Sequence, residues 1–154
     1  MKYVLDESAI CYMLEAFPQK TVPNIYEKFC EGCIDGVIIS DKETKKSLEH
    51  LLEEESSYIW IEEHAKTFRA INQKESKILG ELVEEGIFSF INNSRRFSRN
   101  LPIAIPFLLA IALNEKRTVV MDKKARDSKI VEKMCREKGI GFCNVDDFLS
   151  ELIG

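Results

Sequence analysis

The chain has 154 residues, of which 45% are hydrophobic and 31% charged, with a net charge of −4. That balance excludes a disordered or collagen-like polypeptide and predicts a single domain over residues 1–154 with room for a substantial core. The longest uncharged apolar run, residues 101–113, falls short of the about 20 residues needed to cross a bilayer. Asp6 and Glu7 also interrupt the N-terminus before a secretory apolar region can form, so a cytoplasmic protein with no membrane partner is expected.

In chain order, short β-branched or aromatic runs alternate with stretches of helical period. "KYVL" (2–5) reads as a strand and "NIYEKFCEGCIDG" (24–36) as a helix. The Cys30–Cys33 pair lies inside that helical stretch. Five cysteines without an export signal predict free thiols, and the CxxC reads as structural, with metal or redox chemistry as its other reading. "VIIS" (37–40) is a second strand, after which Ser40 and Glu43 form a capping box that opens a helix at Asp41. "SYIWIEEHAKTF" (57–68) and "ESKILGELVEEGIFSFI" (75–91) predict two helices joined around Asn72. Trp60 reads as a core or helix-interface residue. "IAIPFLLAIAL" (103–113) is apolar all round and therefore predicts a buried helix, with Pro106 at its first position and Ile105 as a poor N-cap. "TVVM" (118–121) and "IGFC" (140–143) are further strands. Between them "RDSKIVEKMCREKG" (126–139) is a helix ending on Gly139, and "NVDDFLSELI" (144–153) is a closing helix capped by Asn144. The alternation predicts a three-layer α/β/α domain around a parallel sheet of about four or five strands, with an all-helical insertion between the second and third.

Three of the strand runs end on an acid: "YVL" on Asp6, "VIIS" on Asp41 and "TVVM" on Asp122. Ligands of open parallel sheets bind outside the carboxyl ends of the strands. Acids gathered there repel one another unless a cation or a positive helix end sits among them. Asp6 and Asp122 are thus candidate ligands of a hard divalent cation, Mg²⁺ or Mn²⁺. Asp41 reads first as a residue of the helical turn that follows it. The alternative for each is a helix cap.

"YVLDESAI", in which a strand ends in Asp6 and Ser8 follows one residue later, resembles the opening of PIN domains. "AIPFLLAIALNEKRTVVMDKKA" is similar to the PIN stretch in which a helix precedes a strand closing on an acid, here Asp122. "EKMCREKGIGFCNVDDFLSEL" resembles the PIN ending of helix, short strand and last helix. The resemblance implies a PIN-like fold and a ribonuclease-type hydrolase of the toxin–antitoxin kind. Its metal would be Mg²⁺ or Mn²⁺, its substrate single-stranded RNA, and its partners an antitoxin or other protein and a second copy as a homodimer. Asp6 and Asp122 would be the catalytic and metal-binding acids, with Ser8 supporting them. The pattern departs from the family at two acids, where Ser47 and Ile105 stand instead, and if the register shifts by one, Lys123 takes the place of Asp122. Glu43, one helical turn before Ser47, and Asp41 are the candidate substitutes. The loss predicts a weak ribonuclease, with a catalytically silent module that binds RNA or protein as the alternative.

Residues 92–136 hold eleven Lys and Arg against four Asp and Glu, whereas residues 41–91 hold seven against twelve. Within the basic third, Arg95, Arg96 and Arg99 bracket Phe97, a pattern suited to phosphate pairing and base stacking on single-stranded RNA. Lys123 and Lys124 flank Asp122 and extend the same candidate RNA-binding face.

Overall fold

A computed structural model describes residues 1–86 and 103–154. Five strands form one parallel sheet: β1 (Tyr3–Leu5), β2 (Ile38–Asp41), β3 (Phe68–Arg69), β4 (Thr118–Met121) and β5 (Phe142–Asn144). Their spatial order is β3-β2-β1-β4-β5. The chain lays its first three strands outward in one direction, returns to the other side of β1 and continues from there. The reversal falls between β1 and β4, which pair with Leu5 opposite Val120.

Eight helices are described among these residues: α1 (Glu7–Ala16), α2 (Pro23–Ile34), α3 (Lys42–Leu51), α4 (Glu55–Glu63), α5 (Gln73–Glu84), α6 (Ile105–Glu115), α7 (Ser128–Lys138) and α8 (Val145–Ile153). Alternation along each strand divides the core between two faces, as the pleat requires. Tyr3, Leu5, Ile38 and Val120 face one side, where they pack with Ile10 and Met13 of α1, Phe29 of α2 and Phe148 of α8. Val4, Ile39, Val119 and Met121 face the other, against Leu108, Leu109, Ile111 and Ala112 of α6, Leu82 of α5, and Val131 and Cys135 of α7. This is the three-layer α/β/α architecture expected from the alternating runs. α6 is fully buried from Leu108 to Ala112 and half-buried toward its ends, because helices and sheet enclose it on several sides. No described helix is long and apolar enough to cross a membrane.

Several boundaries correct the sequence reading. Ser40 belongs to β2 and donates its hydroxyl hydrogen bond to the Leu5 carbonyl at 2.6 Å, so it holds two strands together instead of capping α3. Asp41 is the N-cap. The segment between β2 and β4 is not all helical: α4 ends at Glu63, a single 3₁₀ turn spans Ala65–Thr67, and Phe68–Arg69 pair beside Ser40 and Asp41 as β3. The last strand starts two residues later than expected, at Phe142. Helix α6 begins one residue earlier, with Ala104 at the N-cap, Ile105 inside the first turn and Pro106 at the second position. Proline has no N–H to leave unsatisfied there, so the start tolerates a cap without a side-chain bond. Helix α5 follows Asn72, which forms a capping box with Glu75, and the part of its expected span beyond residue 86 lies outside the described residues.

Two features pin the helical layers to the sheet. Glu75, fully buried at the start of α5, receives a two-pronged bond from Arg69 (2.7 and 2.6 Å) and a third from the Asn114 amide at 3.0 Å. Arg69 continues to Glu115 at 2.7 Å, and Glu115 accepts from Arg117, whose guanidinium also donates to the carbonyls of Tyr3, Gly36 and Val37. On the opposite face Trp60 stacks between Phe29 and His64, with ring centroids 5.4 and 4.3 Å away, and its indole N–H donates to Cys30 Sγ at 3.4 Å. Trp60 is a core residue. Its bond gives Cys30 a packing role, and all five cysteines are free thiols.

Candidate functional site

Asp6 terminates β1 and caps α1. Its Oδ1 accepts from the Ala9 N–H at 2.9 Å and from the Ser8 hydroxyl at 2.7 Å, and the residue is 3% exposed. An acid in this place satisfies two needs at once. It closes the first turn of α1, and it lies at that helix's positive end, which offsets the cost of burying its charge. The Ser8 hydroxyl then reaches across the reversal in strand order and accepts from the Asp122 N–H at 3.0 Å. A second tie runs alongside, from the Asp6 N–H to the Val120 carbonyl at 3.2 Å. Asp6, Ser8 and Asp122 are therefore assembled at the carboxyl edge of the sheet, where β1 and β4 diverge. The Asp122 carboxylate is partly exposed and accepts from the Lys124 N–H at 3.3 Å.

A cavity of about 250 Å³ opens at this edge. Asp6, Glu7 and Ser8 contribute to it from the start of α1, and Arg126 and Asp127 from the turn after β4. Its apolar wall includes Leu51, Ile105 and Met121. The place is the one parallel sheets use for ligands, a crevice beyond the strand ends at a topological switch point. Glu7 was not anticipated as a lining residue. It is 3% exposed in the first turn of α1, and only its position next to Asp6 in the sequence could have pointed to it.

The substitute acids lie elsewhere. Asp41 is 1% exposed, and its two oxygens accept from the Glu43 and Thr44 N–H groups and from the Thr44 hydroxyl. Burial pushes its carboxyl up to about 6 although those hydrogen bonds pull the other way. Glu43 pairs with Lys46 at 3.2 Å. Neither is among the described residues lining the cavity, and nor is Asp122, which is joined to Ser8 through its backbone N–H at the rim. Ser47 is buried, and Ile105 presents a hydrocarbon to the cavity where an acid would be needed. Among the described residues no three His, Cys, Asp or Glu side chains gather as a metal-holding group. The donor set at the switch point is thus poorer than a closed carboxylate cage, and a Mg²⁺-sized ion held there would keep most of its coordination as water.

Of the expected basic face, Lys123 pairs with Asp146 at 2.9 Å, which directs its ammonium toward the start of α8 and raises its pKa through that hydrogen bond. Lys124 is exposed beside Asp122. Arg95, Arg96 and Arg99 lie outside the described residues.

These features define a parallel α/β domain with an acidic crevice at its switch point. The chain belongs to the family described as Domain of unknown function (DUF4411), which matches residues 3–153. No curated protein matches it.

Proposed function

We propose that this chain is a PIN-like domain of the metal-dependent ribonuclease type, acting weakly on single-stranded RNA at the crevice between β1 and β4. The observation that carries this reading is the junction of Asp6, Ser8 and Asp122 at the one place where the strand order reverses. Asp6 and Asp122 are the residues to hold Mg²⁺ or Mn²⁺. A hard cation at such a rim supplies a water of lowered pKa and neutralises charge on phosphodiester oxygens. Ser8 fixes the Asp6 carboxylate relative to the loop after β4. Lys124 and Arg126, exposed on that loop, suit the flanking phosphates, and Arg95, Arg96 and Arg99 are proposed as further phosphate partners from their sequence pattern alone.

A second reading, a silent module that binds RNA or a protein partner without cutting, is favoured by one observation. The substitute acids are tied into helix starts, and Ile105 stands in the cavity wall. One experiment separates the two: incubation of single-stranded RNA with the protein in Mn²⁺, with and without EDTA, beside Asp6→Asn. The enzyme reading predicts slow cleavage that EDTA abolishes and Asp6→Asn reduces about a hundredfold or more. RNA that stays intact under all conditions, yet is bound with an affinity that falls with salt, would establish the silent module.

A further inference from the structure

We propose that the crevice between β1 and β4 is a pocket for one guanine of a single-stranded RNA, read by the Asp127 carboxylate. This names the base for the RNA reading above and rests on that reading.

The cavity has two unlike walls. Leu51, Ile105 and Met121 line one side with apolar side chains, and Cys11 and Ala125 join it. None of these five offers a charge or a strong hydrogen-bond donor. A phosphate or a hard cation gains nothing from such a wall, whereas the apolar face of a nucleobase does. The volume, about 250 Å³, is room for one flat heterocycle. Single-stranded RNA is recognised in this way, with a base turned out of its stack and hydrogen-bonded along its edge.

The other wall chooses the base. It carries Asp6, Glu7 and Asp127, with Ser8 and Arg126. Ser8 already donates its hydroxyl to Asp6, and the same Asp6 oxygen also closes the first turn of α1. Asp127 differs. It holds the N-cap position of α7, yet its side chain makes no cap hydrogen bond, and the residue is half-buried. Asp6, Asp41 and Asn144 at the corresponding positions all cap through their side chains. The acceptors of Asp127 are thus not spent on its own helix. An ionised carboxylate only accepts hydrogen bonds. Among the RNA bases guanine alone presents two adjacent donors, N1–H and the N2 amino group, which fork onto both oxygens. Adenine and cytosine set an acceptor nitrogen beside their amino group, and uracil flanks its one N–H with two carbonyls. Each of these places a lone pair against the carboxylate. Arg126, the preceding residue, is exposed and suits the phosphate of the same nucleotide. The acids keep that phosphate at the rim, so the base takes the pocket and the backbone stays on the loop after β4.

The test measures fluorescence anisotropy of labelled single-stranded RNAs about six nucleotides long, all uridine except for a central G, A, C or U. Low salt and EDTA are used, so that no cleavage intervenes and the readout is base choice alone. The G-centred RNA is expected to bind about tenfold or more tighter than the other three. Asp127→Asn keeps a good N-cap residue and replaces the acceptor pair by one acceptor and one donor, the pattern that fits adenine. The guanine preference is expected to vanish, with the A-centred RNA becoming the tightest of the four. A purely electrostatic or structural role for Asp127 would instead move all four affinities together and leave their order as it was. Leu51→Ala, at a position 48% exposed, is expected to weaken the G-centred RNA severalfold through loss of the apolar wall. Equal binding of the four RNAs, an order that Asp127→Asn leaves unchanged, or an affinity untouched by Leu51→Ala would each overturn the guanine pocket and leave the ribonuclease reading to the cleavage assay. Binding of none of the four by the parent would overturn it as well.

Discussion

The Asp41 carboxyl accepts three hydrogen bonds at the start of α3, yet burial holds its pKa up at about 6 against an ordinary 3.8. The folded value lies above the unfolded one, so this group favours the fold most at pH below about 4. That contribution fades as pH rises through about 6. Loss of the cap by Asp41→Ala is expected to cost about 1 kcal/mol at pH 7. The cost should be larger by about a further 1 kcal/mol at pH 5, where the native carboxyl is protonated and the unfolded one is not. Urea denaturation of both proteins at the two pH values measures it, and a cost that grows toward pH 7 instead would show that Asp41 is stabilised as the anion. At this scale the sequence shows which residues can cap but not which one does. Ser40 and Asp41 are both good N-caps, and the choice was made by the Leu5 carbonyl, which takes the Ser40 hydroxyl from across the sheet. Glu7 was illegible for a related reason. An acid in a first helical turn is ordinary, and only the packed neighbours decide that this one is buried in a cavity wall.

Among the elements, β3, α5 and α6 depend on one buried charge. Desolvation opposes ionisation of Glu75, but the bonds from Arg69, Asn114 and the Asn72 N–H outweigh it and hold the carboxyl down at about 2. With the folded value below the unfolded one, this contribution is complete above about pH 4.5 and is lost as pH falls toward 2. Glu75→Gln is expected to destabilise the protein by about 3 kcal/mol at neutral pH, since it leaves Arg69 short of a partner in a half-buried site. The deficit should shrink by more than half near pH 3. A deficit that stays constant with pH would mean that packing, and not the carboxylate, joins these elements. The network also explains an element that the sequence hid. β3 is two residues long, below the length at which alternation can be seen, and it is held by Arg69 through side-chain bonds as much as by pairing with β2. β4 was legible to the residue because four consecutive residues of strand-forming type, two of them deeply buried valines, leave little else for "TVVM" to do. Asn144 and Gly139 likewise cap α8 and α7 where the Asn144 side chain and the left-handed φ of 71° at Gly139 predict, whereas the capping box of Asn72 with Glu75 was not read from the sequence.

For the molecule as a whole, the strand order gives the acids their meaning. Read along the chain, Asp6 and Asp122 are more than a hundred residues apart, and each is an ordinary end to a strand. The reversal between β1 and β4 makes them neighbours, and Ser8 converts that proximity into a hydrogen-bonded unit. The alternating pattern foretold the parallel sheet and the shared edge. It could not foretell that the remaining acids would be drawn into helix starts or lie off the cavity, because that depends on side-chain placement within a turn. Mn²⁺ titration by calorimetry of the parent protein, Asp6→Asn and Asp122→Asn tests the central claim most directly. The account predicts weak binding at one site, reduced about tenfold or more in either variant, with the double variant no worse than the weaker single one. Binding that survives either substitution undiminished, or no Mn²⁺ binding by the parent, would contradict it.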